Sequence, residues 1–414
     1  MLLIRARRTC GAVERAARIS QAPAFFSKLP DGGIALRIAD IKVYAIPMKG
    51  SSWLSEGLIA NPMSIYPEYK ERRQSWFGPM TSAIVEIFTH GGIRGLGTVG
   101  GGKGKLAATV VDEQFRTLLI GRNPFDIELL WEQMFRASQF YGRKGAVIEV
   151  ISGIDLALWD ILGKATGQPV YNLMGGKTKE RIPLYVTGNL TERHLQQGFR
   201  HIKLAIPHGP AEGKAGLGKN VELVERTRKL IGPEGDIMLD CYMALDVHYA
   251  ISLARAVAGL GVLWMEEPVP PDQIASYLRI KEAVPDILIT GGEHEFTRYG
   301  FRDLIEARAV DVLQPDIYRA GGLSELKKVA AMASAHDLPV IPHGVGAPTY
   351  HFVMATHNSP RAEFVDIFAQ GGNPLLQGEP EPTNGYLELS DRPGFGYDLD
   401  EEILSGTKPA ALIW

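Results

Sequence analysis

Between residues 236 and 343 the chain reads DIMLD (236–240), VLWME (262–266), DILIT (286–290), DVLQPD (311–316) and PVIPH (339–343). Each is a short apolar run followed by a stretch with helical spacing, the pattern of a βα unit. Three more such runs flank them: IPLYV (182–186) and HIKLA (201–205) before, and AEFVD (362–366) after. Eight runs alternating with helices predict parallel strands, and eight is the number that closes a (β/α) barrel. An open doubly wound sheet is the competing architecture.

Outside that block the pattern changes. IKVYAIP (41–47) reads as a strand and SAIVEIFTHGGIRGLG (82–97) as a hairpin, with His90, Gly91 and Gly92 supplying the turn. Residues 105–175 read as helices. Ile151, Ile154, Leu158, Ile161 and Leu162 share one face, and Gly167-Gln168-Pro169 ends the segment. The first part is therefore expected to be α+β. After residue 370 the chain returns to loops and short strands.

Composition narrows the function. The 414 residues are 45% hydrophobic and 22% charged, which excludes a fibrous or disordered protein. Forty-four basic residues against 47 acidic ones leave a net charge of −3, no global field for nucleic acid or an acidic membrane face. No apolar run reaches the roughly 18 residues of a membrane span. Two cysteines, Cys10 and Cys241, make neither a disulfide scaffold nor a cysteine zinc cage, and a reducing compartment is the simplest home. Residues 1–30 carry five arginines against Glu14 alone. That start resembles an organelle transit peptide, with a disordered tail or an upstream start codon as the plainer reading. The location expected is cytoplasmic, or mitochondrial if the segment is a targeting signal.

The polar residues at the run ends say most about chemistry. Asp240 closes the third run, Glu266 the fourth, Glu293 follows the fifth, Asp316 closes the sixth and His343 the seventh, one per βα unit. Barrel strand ends meet at one face, where active sites lie, about 4.8 Å from strand to strand. Asp240, Glu266 and Glu293 would crowd together and repel one another unless a hard divalent cation sat between them. All-oxygen ligation suits Mg²⁺ rather than zinc. Single acids at strand ends are more often helix caps or salt-bridge partners, and only the run of three points to a metal. Asp316 beside His343 would fix the imidazole tautomer and make it a base able to return its proton as an acid. His294, next to Glu293, is a second candidate, with a helix cap as the alternative. A Mg²⁺ site flanked by one imidazole suits removal of the proton α to a carboxylate.

On these residues the chain resembles the mandelate racemase and muconate-lactonising branch of the enolase superfamily, from about Ile41 to the C-terminus. The motifs are ISGIDLALWDILGKATGQPVYNLMGG (151–176), MLD (238–240), WMEEP (264–268), GGEHE (291–295), LQPDIYRAGGLSE (313–325) and VIPHG (340–344). The resemblance implies an α+β capping domain over a (β/α)7β barrel. Its boundaries would be a tail over 1–35, the cap over 36–165, the barrel over 166–370 and a C-terminal segment over 371–414 packing on the cap. It implies Mg²⁺ held by Asp240, Glu266 and Glu293, the first of the Glu266-Glu267 pair being the ligand, and an Asp316–His343 dyad. Within the branch the segments at 60–78, 203–220, 238–250 and 291–304 are similar to the L-rhamnonate dehydratase family. That similarity implies an acid-sugar dehydratase with a small-molecule sugar-acid substrate and a homo-oligomer, from dimer to octamer. It would make Arg73 a substrate clamp and place Lys203, His294 and Glu363 on the substrate side, Glu363 bonding its carboxylate.

Two departures matter. The early capping loop, MKGSSWLSEGLIANPMS (48–64), lacks the histidine those dehydratases carry, which leaves the sugar acid open. Racemising relatives often show Lys-x-Lys on the second strand, whereas here it is Lys203-Leu204-Ala205. One base on one face favours dehydration over racemisation, with epimerase or cycloisomerase chemistry as the runner-up. Gly95-Leu96-Gly97-Thr98-Val99-Gly100 matches a dinucleotide fingerprint but lies inside the predicted hairpin, the wrong context for one. Gly321-Gly322 fits an anion cradle or, equally, a turn before a helix.

Overall fold

The computed structural model describes residues 36–47, 59–69, 81–101, 104–365 and 375–406. Strands β1 (Ile38–Pro47), β2 (Thr81–Thr89) and β3 (Arg94–Val99) form an antiparallel sheet in that order. The expected hairpin turn is there: Gly92, at φ 79°, donates its N–H to the Thr89 carbonyl. Helices α1 (Gly104–Val110), α2 (Ile127–Ser138) and α3 (Ala146–Thr166) follow. A left-handed Gly167 ends α3 as the sequence suggested.

Helix α3 is not the one-faced helix its apolar stripe predicted. Apart from Leu162, every residue from Val150 to Gly163 is buried, because α3 lies between β3 and a barrel helix. The glycines of the discounted fingerprint explain the close approach. A Cβ on Gly95 would fall 2.1 Å from the Ala157 carbonyl oxygen, and one on Gly97 would fall 1.9 Å from that of Gly153. They let a strand backbone lie on a helix backbone, and no phosphate is needed to account for them.

The second layer is the barrel. Its strands are β4 (Ile182–Thr187), β5 (Ile202–Ala205), β6 (Ile237–Asp240), β7 (Val262–Glu266), β8 (Leu288–Gly291), β9 (Val312–Leu313) and β10 (Ala362–Val365). They run parallel in the order β10-β4-β5-β6-β7-β8-β9. The last strand in sequence lies beside the first, which an open doubly wound sheet does not allow. The fold is thus α/β, a TIM-like barrel of the (β/α)7β type under an α+β layer. Helices α4 (Thr191–Gln196), α5 (Gly213–Ile231), α6 (Val247–Val257), α7 (Ile274–Ala283), α8 (Thr297–Glu306), α9 (Gly322–Ser334) and α10 (Ala347–Ala355) alternate with the strands.

The run at 339–343 makes no ladder. Two isolated bridges, Leu313 to Val340 and Asp316 to His343, hold it to its neighbour. Pro339 and Pro342 explain the gap, since proline has no N–H to donate. On its other side the run is tied to β10 through a side chain, the Gly344 N–H donating to Glu363 Oε2 at 2.9 Å.

The C-terminal segment contributes β11 (Leu376–Gln377), β12 (Tyr386–Leu387) and β13 (Asp398–Leu399). β12 pairs antiparallel with β4, while Phe395 N donates to Asp160 and the Tyr397 hydroxyl to the Leu96 carbonyl. The segment therefore touches both layers. Among the described residues no helix is long and apolar enough to cross a membrane.

Candidate active site

Parallel register brings the strand ends together. Ala205, Asp240 and Glu266 are register partners across β5, β6 and β7, and Glu266 is partnered in turn by Thr290. Glu293 lies three residues beyond Thr290, in the turn after β8. All three predicted ligand carboxylates are buried.

Their surroundings carry too much negative charge. Glu266 Oε2 accepts from Lys203 Nζ at 2.7 Å and from Gln314 Nε2 at 2.8 Å, while its Oε1, equally buried, has no partner. The fully buried Lys203 also reaches Glu363 Oε1 at 2.9 Å. Burial works against the Glu363 carboxylate, but Lys203, His343 and the Thr187 hydroxyl overcome it and draw its pKa down to about 2. One lysine cannot neutralise two carboxylates, and Glu266 is the one left over. Burial, then the charges of Asp240, Glu363 and Glu293, lift Glu266 to about 8 against the pull of Lys203. Burial also lifts Asp240, to about 6; Glu293 and Glu363 add to the rise, and Lys203 opposes it. An orphaned buried carboxylate oxygen among surplus anions fits a hard cation.

The dyad is formed. His343 Nδ1 is 2.9 Å from Asp316 Oδ2, and Asp316 Oδ1 accepts from the Tyr318 N–H at 2.7 Å. His343 Nε2 points to the other side, 3.5 Å from Glu293 and 3.9 Å from Glu363. Burial opposes a charged imidazole, but Glu293, Glu363 and Asp316 together raise His343 to about 10. Burial likewise opposes ionised Asp316, and His343 and Arg319 outweigh it, holding its pKa low.

Three residues that the sequence did not single out, and Glu267, which it named only as the non-ligand of its pair, complete the site. Arg319 bridges the two halves, 3.4 Å from Glu293 and 3.3 Å from Asp316. Gln314 holds Glu266, and strand alternation shows it in retrospect, two residues before Asp316. Tyr242, at φ 44°, places its ring edge-on to His294 at 5.2 Å. Glu267 turns away from Glu266 at φ 37°, accepting N–H bonds from Gly292 and His294 and approaching His294 Nδ1 at 2.6 Å. Burial opposes its charge, but His294 and those N–H groups bring Glu267 down to about 2.

The structure thus gathers Asp240, Glu266, Glu293, Asp316, His343, Lys203 and Glu363 at one rim, with His294 beside Glu293 at 3.4 Å. Arg73 lies outside the described residues. A second trio, Glu267, Glu293 and His294, has ligand atoms within 4.8 Å of one another. Two of its members, Glu267 and His294, already form an ion pair at 2.6 Å.

A curled parallel barrel with acids at successive strand ends and an Asp–His pair opposite defines a class. The N-terminal domain of mandelate racemase and muconate-lactonising enzymes matches residues 77–175, and the enolase C-terminal domain-like family matches residues 187–403. The chain belongs to the enolase superfamily, in the mandelate racemase and muconate-lactonising branch, and is an enzyme of that group.

Among solved structures it is similar to L-rhamnonate dehydratase from Gibberella zeae, at 42% identity over 93% of this chain and 97% of that one, with a TM-score of 0.85. A rhamnonate dehydratase from the same organism, complexed with Mg, is 40% identical over 92% and 97%, with a TM-score of 0.84. A racemase from Streptomyces coelicolor A3(2) with bound magnesium is 28% identical over 91% and 100%, with a TM-score of 0.76.

Proposed function

We propose that this chain is a Mg²⁺-dependent acid-sugar dehydratase acting on L-rhamnonate or a close relative and releasing a 2-keto-3-deoxy acid. Asp240, Glu266 and Glu293 would hold the ion, which when bound supplies Lewis-acid polarisation of the substrate carboxylate. His343 Nε2 takes the proton from C2. Asp316, bonded to Nδ1, fixes which nitrogen is free and stabilises the imidazolium that results. Glu293 is the first of the neighbouring charges that hold His343 protonated, so engaging Glu293 elsewhere frees His343 to act as a base. The C2–H electron pair then expels the C3 hydroxyl, which leaves as water with the proton His343 returns. Lys203 and Glu363 would serve the substrate-carboxylate side, His294 would reach the substrate from beside Glu293, and Arg73 would clamp the sugar hydroxyls from the capping domain.

One observation carries the choice of reaction. The only lysine on β5 is fully buried between Glu266 and Glu363, and two residues on, where the strand presents the same face, stands Ala205, which has no basic group to offer. A single base returns its proton to the face it took it from, which supports elimination rather than exchange of configuration. The similar magnesium-bound racemase keeps epimerisation as the second reading. Incubation with a panel of acid sugars in D₂O separates them. Keto acid formed from L-rhamnonate supports the dehydratase, whereas deuterium at C2 of recovered substrate without keto acid supports the epimerase. Assembly as a homo-oligomer, dimer to octamer, belongs to the same proposal and is read by light scattering. So does a cytoplasmic location, or a mitochondrial one if residues 1–30 are a signal.

A further inference from the structure

We propose that helix α3, of the N-terminal layer, positions the proton-transfer dyad through Ser152 and Asp155. This rests on the dehydratase reading only in naming what the dyad does. Asp316 begins a tight turn that leads into α9. The turn is internally rigid: the N–H groups of Arg319 and Ala320 donate to the Asp316 carbonyl at 3.0 and 2.8 Å, and that of Tyr318 to its carboxylate. Whatever moves the turn moves the carboxylate that orients His343.

Helix α9 brings no cap of its own. Its N-cap is Gly321, at φ 119°, which has no side chain to offer its first N–H groups. The acceptors come from α3, 169 residues away in sequence. Ser152 Oγ accepts from the Gly321 N–H at 2.9 Å, and Asp155 Oδ2 from the Ser324 N–H at 3.0 Å. Trp159 Nε1 donates to Ser324 Oγ at 3.0 Å, and Trp131 Nε1, from α2, to the Gly321 carbonyl at 2.8 Å. The Gly100 N–H donates to the Tyr318 carbonyl at 3.2 Å. Gly322, at φ 82°, makes the approach possible, since a Cβ there would sit 2.4 Å from Asp155 Oδ2. These bonds occupy the Gly321 and Ser324 N–H groups with side chains of α3, and the Gly321-Gly322 pair forms the turn that leads into α9. Ser152 and Asp155 are both buried and hydrogen-bond to Ile148, Gly321 and Ser324, none of them a predicted metal ligand or a member of the dyad. They are positioning residues.

The test uses the Mg²⁺-loaded full chain. Ser152→Ala and Asp155→Ala are expected to lower kcat about 10- to 100-fold with KM changed less than about 2-fold. The primary isotope effect from deuterium at C2 should rise as proton transfer becomes limiting. Asp155→Asn, which keeps an acceptor oxygen, should recover to within about 3-fold of wild type. Asp160→Asn is the control: Asp160 is equally buried on α3 but accepts from Leu96 and Phe395, away from the turn. It should lower thermal stability and leave the isotope effect alone. Proton NMR of histidine-labelled protein gives a readout without substrate. The downfield His343 Nδ1 proton, assigned by its loss in His343→Asn, should shift upfield or broaden in Ser152→Ala and Asp155→Ala but not in Asp160→Asn. An unmoved resonance in both α3 variants, or losses no different from those of Asp160→Asn, would overturn the proposal. If the wild-type protein turned over no acid sugar, the dehydratase reading would fail and the resonance would still decide this one.

Discussion

Glu266 and Glu267 are neighbours in the chain and opposites in the fold. Glu266 faces the barrel mouth with one oxygen unpartnered and too many anions nearby, and its pKa is pushed up to about 8. Glu267, at a left-handed φ, turns into a corner where His294 and two backbone N–H groups satisfy it, and its pKa falls to about 2. Both are buried carboxylates. The difference lies in what surrounds them: the mouth is an arrangement short of positive charge, and the corner is complete.

The comparison can be broken most forcefully by removing the base while leaving the mouth intact. His343→Asn should lower kcat by roughly 10³-fold or more while Mg²⁺ affinity, read by calorimetry, stays within about 3-fold. Retained turnover would contradict the assigned base. Next comes the opposite pH dependence of the two glutamates. The folded pKa values of Asp240 and Glu266 lie above the ordinary carboxylate range, so their contribution to stability is full below about pH 4 and is lost as pH rises through 6 and 8. Metal-stripped protein should therefore lose several degrees of Tm between pH 5 and 8. Mg²⁺ should restore it, and Glu266→Gln should flatten the slope. A Tm that rises over that range in EDTA would contradict the charge surplus.

The corner runs the other way. With a folded pKa below the ordinary one, Glu267 contributes stability above about pH 4.5 that is lost as pH falls toward 2. Glu267→Gln should cost on the order of 3 kcal/mol at neutral pH and reduce the acid sensitivity of unfolding, as followed by circular dichroism. An unchanged unfolding curve would show that the His294 ion pair does not hold the corner.

Much of this was visible in the polymer. Seven of the eight predicted runs became strands within a residue or two, apart from DVLQPD, where only Val312–Leu313 pairs in a ladder. The eighth, PVIPH, kept its place with two bridges because prolines replaced its donors. Asp240, Glu266, Glu293, Asp316 and His343 could be found because each closes or closely follows one of the apolar runs, and the ends of those runs converge whatever the side-chain details. What stayed hidden depends on tertiary geometry. Arg319 is only another surface-type cation in sequence until the turn swings it between Glu293 and Asp316. Ser152 and Asp155 become visible as buried caps only once α9 lies against them, and Asp160 as a buried acceptor only once the Leu96 and Phe395 N–H groups reach it. Glu267 looks equivalent to Glu266 until a positive φ separates them.

The most direct test of the central claim is Mg²⁺ titration calorimetry on wild type, Glu266→Gln and Glu267→Gln side by side. Loss of a carboxylate ligand from the mouth should weaken Mg²⁺ binding about 100-fold or more, and loss of the corner carboxylate should change it less than about 3-fold. The reverse order, with Glu267→Gln abolishing binding and Glu266→Gln leaving it intact, would place the ion on Glu267, Glu293 and His294 and contradict the account.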